Sequence, residues 1–155
     1  MYLVKKADAI ALKDRDAKTV TDAFKEILEH TKKHETAILL GSPFIELERK
    51  KPALRNSAIF MHQGEIKKIF SKKSLPNYGV FDENRYFKAS SHLSLLEFKG
   101  YDIAVLICED LWDERNLLLL SEQVFDAIIS INASPFHQDK QQLRLDLATK
   151  YSKSL

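Results

Sequence analysis

The stretch Asp102-Ile-Ala-Val-Leu-Ile-Cys-Glu-Asp-Leu-Trp112 decides the fold. Ile103 to Ile107 is an unbroken apolar run, the pattern of a strand buried on both faces. Leu111 to Val124 reads as a helix, and Ala127-Ile-Ile-Ser-Ile131 as a second buried strand. A strand–helix–strand unit of this kind makes a crossover in an α/β sheet. Cys108 stands where the first strand gives way to the helix.

Working outward, Leu93-Ser-Leu-Leu-Glu-Phe98 pairs with the decisive strand across Lys99-Gly-Tyr101 as a hairpin. A second hairpin joins Ser57-Ala-Ile-Phe-Met61 to Ile66-Lys-Lys-Ile-Phe70 across His62-Gln-Gly-Glu65. Ala37-Ile-Leu-Leu40 reads as a short strand ended by Gly41-Ser-Pro43. Before it, Val20, Ala23, Phe24, Ile27 and Leu28 fall on one face of a helix. Thr19 or Asp16 caps its start, and Lys32, Lys33 and His34 suit its C-terminal end. Gln141 to Ser152 reads as a last helix, packing through Leu143, Leu145, Leu147 and Ala148. Residues 1–18 show no clear period, and there is no internal repeat or linker.

Hairpins mixed with crossovers give the α/β class: a mixed sheet with helices on one face. The expectation is a single sheet, with the Thr19–His34 and Gln141–Ser152 helices on the same side of it. In such sheets sites gather at the carboxyl ends of strands. Lys72, Cys108 and Ser134 all follow strand ends.

Composition narrows the function. The 155 residues suit one domain, and 24 basic against 22 acidic residues leave a net charge of +2. That balance points away from nucleic acid and from a membrane surface. No apolar run approaches the roughly 18 residues that span a bilayer. Charges break the first residues too early for a signal peptide. One cysteine allows no internal disulfide and suits a reducing cytoplasm, the expected location.

That cysteine has two readings. Cys108 is a small buried hydrophobe, or it is a nucleophile on a tight turn, where helix N-terminal amides favour a thiolate and an oxyanion. Glu109 and Asp110 oppose a thiolate, so a cationic partner would help. Lys72, in the loop after Phe70, is either solvated or that partner. His137 is an alternative partner, in the loop after Asn132. The five histidines are scattered and make no metal spacing with Cys108, and four glycines leave no phosphate loop.

Three stretches then carry a resemblance. Phe70-Ser-Lys-Lys-Ser-Leu-Pro-Asn-Tyr-Gly-Val-Phe-Asp-Glu-Asn-Arg-Tyr-Phe87 resembles the lysine segment of the glutaminase domain of glutamine-dependent NAD synthetases. Val105-Leu-Ile-Cys-Glu-Asp-Leu-Trp112 resembles its nucleophile elbow, and Asn132-Ala-Ser-Pro-Phe-His-Gln-Asp-Lys140 its substrate loop. The resemblance implies a nitrilase-like αββα sandwich, here partial, with residues 1–155 forming a partial carbon-nitrogen hydrolase (glutamine amidotransferase) domain. It implies Cys108 as nucleophile and Lys72 as the triad lysine. Tyr78, Ser134 and Lys140 would hold L-glutamine, and Glu83 and Glu109 would support the site. It implies no metal. ATP and deamido-NAD would belong to a synthetase domain outside this chain.

One departure stands out. The family's general base is a glutamate on an earlier strand, and no glutamate precedes Glu26, which lies inside the first helix pattern. The expectation is therefore an internal fragment with little activity alone. Its alternative is a non-enzymatic remnant that pairs with a complementary chain or with itself.

Overall fold

The computed structural model describes residues 14–48, 51–133, 138 and 140–154. In chain order the elements are α1 (Asp14–Lys32), β1 (Ile38–Glu48), β2 (Lys51–His62), β3 (Glu65–Ser71), β4 (Leu95–Phe98), β5 (Tyr101–Ile107), α2 (Glu114–Ser121), β6 (Ala127–Ile131) and α3 (Lys140–Ser154). Short 3-10 turns occupy Glu83–Arg85 and Cys108–Leu111.

The strands form two three-stranded sheets, β1-β2-β3 and β4-β5-β6, in place of the single sheet expected. The first is antiparallel throughout. The second is mixed, with β4 antiparallel and β6 parallel to β5. Both hairpins form, each around two residues with positive φ: Gln63 (51°) with Gly64 (78°), and Lys99 (54°) with Gly100 (81°). Two consecutive left-handed residues match the right-handed twist of the flanking strands.

The sheets stack face to face. Ala58, Phe60 and Phe70 of the first meet Leu96, Val105 and Ile107 of the second in one core. Alternation sends Ala104 and Leu106 to the opposite face of β5. There they pack with Leu111, Leu120 and Tyr151, beneath α2 and α3. Leu106 is 0% exposed, and burying such a side chain contributes about 2 kcal/mol.

The first sheet is covered in the same manner. Ile59 and Met61 alternate away from the inter-sheet core and are still buried. α1 packs on β2 and β3, and its half-buried Ala23, Phe24, Ile27 and Leu28 form the expected apolar face. The Thr31 hydroxyl fastens the helix end, donating to Leu28 O and accepting from Gly64 N at 2.9 Å. The layer order is therefore helix, sheet, sheet, helices: an αββα sandwich. The mixed sheet does carry α2 and α3 on one face, but α1 and α3 lie on opposite outer faces and not on the same side.

Other boundaries differ for local reasons. β1 runs through Gly41-Ser-Pro43 because it is an edge strand, where proline's missing N–H is tolerated. α1 starts at Asp14, before the expected caps. The helix after Cys108 starts only at Glu114, where Asp113 caps it by accepting from Arg115 N. β6 is an edge strand and is half-exposed, not buried. α3 packs through Leu147 and Tyr151, while Leu143 and Leu145 are 50% and 54% exposed. Among the described residues no helix is long and apolar enough to cross a membrane.

Stacking of the sheets is testable at one contact. Phe60 on β2 and Phe98 on β4 meet edge to face, with ring centroids 5.0 Å apart. A double-mutant cycle with Phe60→Leu and Phe98→Leu, read by urea unfolding, should show a coupling of about 0.5–1.5 kcal/mol. Additive effects would mean that the two sheets do not face each other there.

Candidate active site

Both sheets deliver a chemical group at one end. β5 ends in the 3-10 turn that begins at Cys108, and β3 ends one residue before Lys72. The amides of Lys73 and Ser74 donate to Asp110 Oδ1 at 3.0 and 2.7 Å, which joins the two segments directly.

Cys108 has φ +48°, in the left-handed region that non-glycine residues rarely occupy. Such a conformation costs of order 1–3 kcal/mol and is held by its surroundings. Here Ile107 N donates across the turn to Asp110 Oδ2 at 3.1 Å, and Trp112 N donates to Glu109 O at 3.0 Å. The amides near the thiol are thus those of a 3-10 turn and not of the α-helix expected there. Cys108 is partly exposed, so the turn presents it to the surface.

Lys72 is almost wholly enclosed, at 2% exposure. Its backbone is fixed on both sides: Lys72 N donates to Asn56 O at 2.8 Å, and Ser90 N donates to Lys72 O at 2.9 Å. Its Nζ donates to Glu83 Oε1 at 2.7 Å. Asn56 Nδ2 donates to the other oxygen of Glu83 at 3.2 Å. The solvated reading of Lys72 is therefore excluded. It is a buried cation held by one carboxylate.

Tyr78 and Glu109 form a further pair on the exposed side of the Cys108 turn. The Tyr78 hydroxyl donates to the Glu109 carboxylate, 2.9 and 3.0 Å from its two oxygens. Burial, the bond to Glu109 and its charge push the phenol up to about 12, with the neighbouring Cys108 adding to the effect. Tyr78 therefore stays a neutral donor at ordinary pH. Lys140 lies further along, its Nζ 5.7 Å from the centre of the Trp112 ring. Ser134 and His137 lie outside the described residues. The strand leading to them is in place, since Ile131 on β6 pairs in register with Ile107 on β5.

Three residues that build the site were given no role by the sequence. Asp110 is 1% exposed, and burial pushes it up to about 6 against the amides of Ser74, Ile107 and Lys73 and the charge of Lys72, which pull it down. Asn116, 0% exposed, donates to Asp110 O at 2.9 Å and to Ser74 Oγ at 3.0 Å. Asp113 accepts from Ser74 Oγ at 2.7 Å and is held well below the usual carboxylate range, chiefly by the Arg115 side chain. A clue was available: a carboxylate three residues past the apolar run Ile103 to Ile107, beside Leu111 and Trp112, sits where solvent is scarce.

The αββα sandwich thus brings Cys108, on a strained turn, and the buried Lys72 to the same end of the molecule. Residues 10–152 match the carbon-nitrogen hydrolase family, and the chain belongs to it. It is 34% identical over 126 residues to a glutamine-dependent NAD(+) synthetase of Aquifex aeolicus, covering 79% of this chain and 21% of that protein. It is 39% identical over 100 residues to the corresponding synthetase of Acinetobacter baylyi, covering 64% of this chain and 18% of that protein. The chain thus spans about a fifth of the length of these curated relatives. The glutamine-dependent NAD+ synthetase of Acinetobacter baumannii, solved with ADP, superposes with a TM-score of 0.69 at 30% identity, covering 85% of this chain and 25% of that one. A Nesterenkonia amidase of the nitrilase superfamily shares the fold, with a TM-score of 0.68 at 15% identity over 87% of this chain and 49% of the amidase.

The Lys72–Glu83 pair supports a prediction. Both side chains are largely buried, at 1% and 13% exposure. Removing one partner leaves the other charge buried and uncompensated. Glu83→Gln should lower stability by about 3–5 kcal/mol in urea titration. Lys72→Met combined with Glu83→Gln should recover more than half of that loss. A double variant no more stable than Glu83→Gln would show that the pair is not the source of the effect.

Proposed function

We propose that this chain carries the glutamine-hydrolysing site of a carbon-nitrogen hydrolase, releasing ammonia from L-glutamine through a thioester on Cys108. The supporting observation is the convergence of Cys108, on a strained turn, with the buried Lys72 at one end of the sandwich. The Cys108 thiolate attacks the side-chain amide carbon. The Lys72 ammonium and backbone N–H groups of the Cys108 turn face the oxyanion that forms. The amide nitrogen leaves as ammonia after taking a proton. Water then attacks the thioester, giving glutamate and the free thiol. Tyr78, Ser134 and Lys140 are the proposed glutamine-holding residues, with Glu109 orienting the Tyr78 hydroxyl and Glu83 orienting Lys72.

Proton transfer sets the expected rate. A positioned acid–base group contributes a factor of about 10² to 10⁴. The family's base is a glutamate on an earlier strand, and residues 1–25 contain no glutamate. Turnover by this chain alone should therefore fall well below about 1 s⁻¹, within the range of competent enzymes. A carboxylate supplied from outside these residues is what this chemistry calls for.

Ammonia release from glutamine, with Cys108→Ala as the blank, tests the proposal. Slow release abolished by the substitution is the expected result. Release unchanged in Cys108→Ala overturns the role of the cysteine. Turnover near 1 s⁻¹ that depends on Cys108 would mean that another residue of this chain carries the proton.

A further inference from the structure

Asp110 has no part in the bond changes just described, yet it is the most deeply buried carboxylate at the site, at 1% exposure. Its three backbone partners are placed in a particular way. Ile107, whose N donates to Oδ2 at 3.1 Å, immediately precedes Cys108. Lys73 and Ser74, whose N atoms donate to Oδ1 at 3.0 and 2.7 Å, immediately follow Lys72. One carboxylate thus grips the backbone beside the thiol and beside the lysine, across 37 residues of sequence and between two different sheets.

We propose that Asp110 is a positioning residue for amide hydrolysis, fixing Cys108 against Lys72 by clamping the ends of β5 and β3 together; the proposal rests on the glutaminase reading above. The apolar core between the sheets holds them together without direction, because the hydrophobic effect scales with area and not with angle. Catalytic alignment is lost over about 1 Å. Directional bonds at the sheet ends supply what the core does not. Bonds from N–H groups to a carboxylate are charge-assisted, stronger than neutral ones. The bond from Ile107 N also closes the turn around Cys108, opposing relaxation from its left-handed conformation. Asn116 and Ser74 add a second tie between the same segments: Asn116 Nδ2 donates to Asp110 O and to Ser74 Oγ, and Ser74 Oγ donates to Asp113 Oδ2.

The chemistry of the clamp requires an aspartate. Two amides point at one oxygen and one amide at the other, so both oxygens must accept. An asparagine has one accepting oxygen, and its NH₂ group would face an N–H donor whichever way the amide turned. Asp110→Asn keeps the size of the side chain and breaks at least one of the three bonds.

The probe is a glutamine analogue with a diazoketone in place of the side-chain amide. It takes up a proton and loses dinitrogen as the Cys108 sulfur bonds to its terminal carbon. With one cysteine in the chain, the site of labelling is unambiguous. Asp110→Asn should leave the half-saturating concentration within about 3-fold of the parent and slow the limiting inactivation rate by about 10- to 100-fold. A variant weakened only in stability would not show that split. A limiting rate within about 2-fold of the parent overturns the proposal. If Asp110→Asn does not fold, Asp110→Glu takes its place, since it keeps two accepting oxygens but moves them by one methylene from the amides of Ile107, Lys73 and Ser74. A limiting rate about 3-fold or more slower supports the clamp, and an unchanged rate overturns it. A parent that the probe does not inactivate overturns the glutaminase reading and this role with it. A parent and variant inactivated alike overturn this role alone.

Discussion

β5 has no face left for solvent, and the rest of the molecule is arranged around that constraint. Ala104, Val105, Leu106 and Ile107 are each 6% exposed or less. Alternation sends Val105 and Ile107 one way and Ala104 and Leu106 the other, so two separate covers are required. One is the antiparallel sheet, through Ala58, Phe60 and Phe70. The other is α2 with α3, through Leu120 and Tyr151. With both faces closed and β4 and β6 on its two edges, the strand is open only at its ends. Cys108 stands at the carboxyl end, where a group can be held by a rigid strand and still be reached from outside.

That placement puts the cysteine in an acidic neighbourhood, with Glu109, Asp110 and Asp113 within five residues. Free carboxylates there would oppose a thiolate. Each is engaged instead. Glu109 accepts from Tyr78, Asp110 from three backbone amides, and Asp113 from Arg115 and Ser74. Their charge is met by donors that also build the loop over the site. The electrostatic liability visible in the sequence is thereby converted into the framework of the turn.

The parts that sequence revealed are those governed by local rules. Gln63-Gly64 and Lys99-Gly100 announced their hairpins because few residues other than glycine accept a left-handed turn position. The apolar run before Cys108 announced a strand buried on both faces. Ser57 to Met61 carried the same information, since all five are buried, but an uninterrupted run does not say whether helix or sheet covers each side. The second sheet was therefore missed in the residue patterning, though the sandwich resemblance implied it. α3 misled because its leucines fall on two sides, and only Leu147 and Tyr151 meet the core. Lys72 was legible through its surroundings in sequence, whereas Asp110 was not. Its role depends on amides 36 and 37 residues away, and no spacing rule reaches that far.

Glu83 invites the thought that it is the general base, and its geometry argues against that. Oε1 accepts from Lys72 Nζ at 2.7 Å and Oε2 from Asn56 Nδ2 at 3.2 Å, so both oxygens are already in use. A proton arriving on Glu83 would cancel the charge that stabilises the buried Lys72 ammonium, and an uncompensated buried cation is unfavourable. Losing that cation would in turn remove the positive charge proposed to face the developing oxyanion. Glu83 therefore serves the proposed chemistry best as the holder of Lys72. Proton transfer falls to a group whose own charge state can change without dismantling the pair.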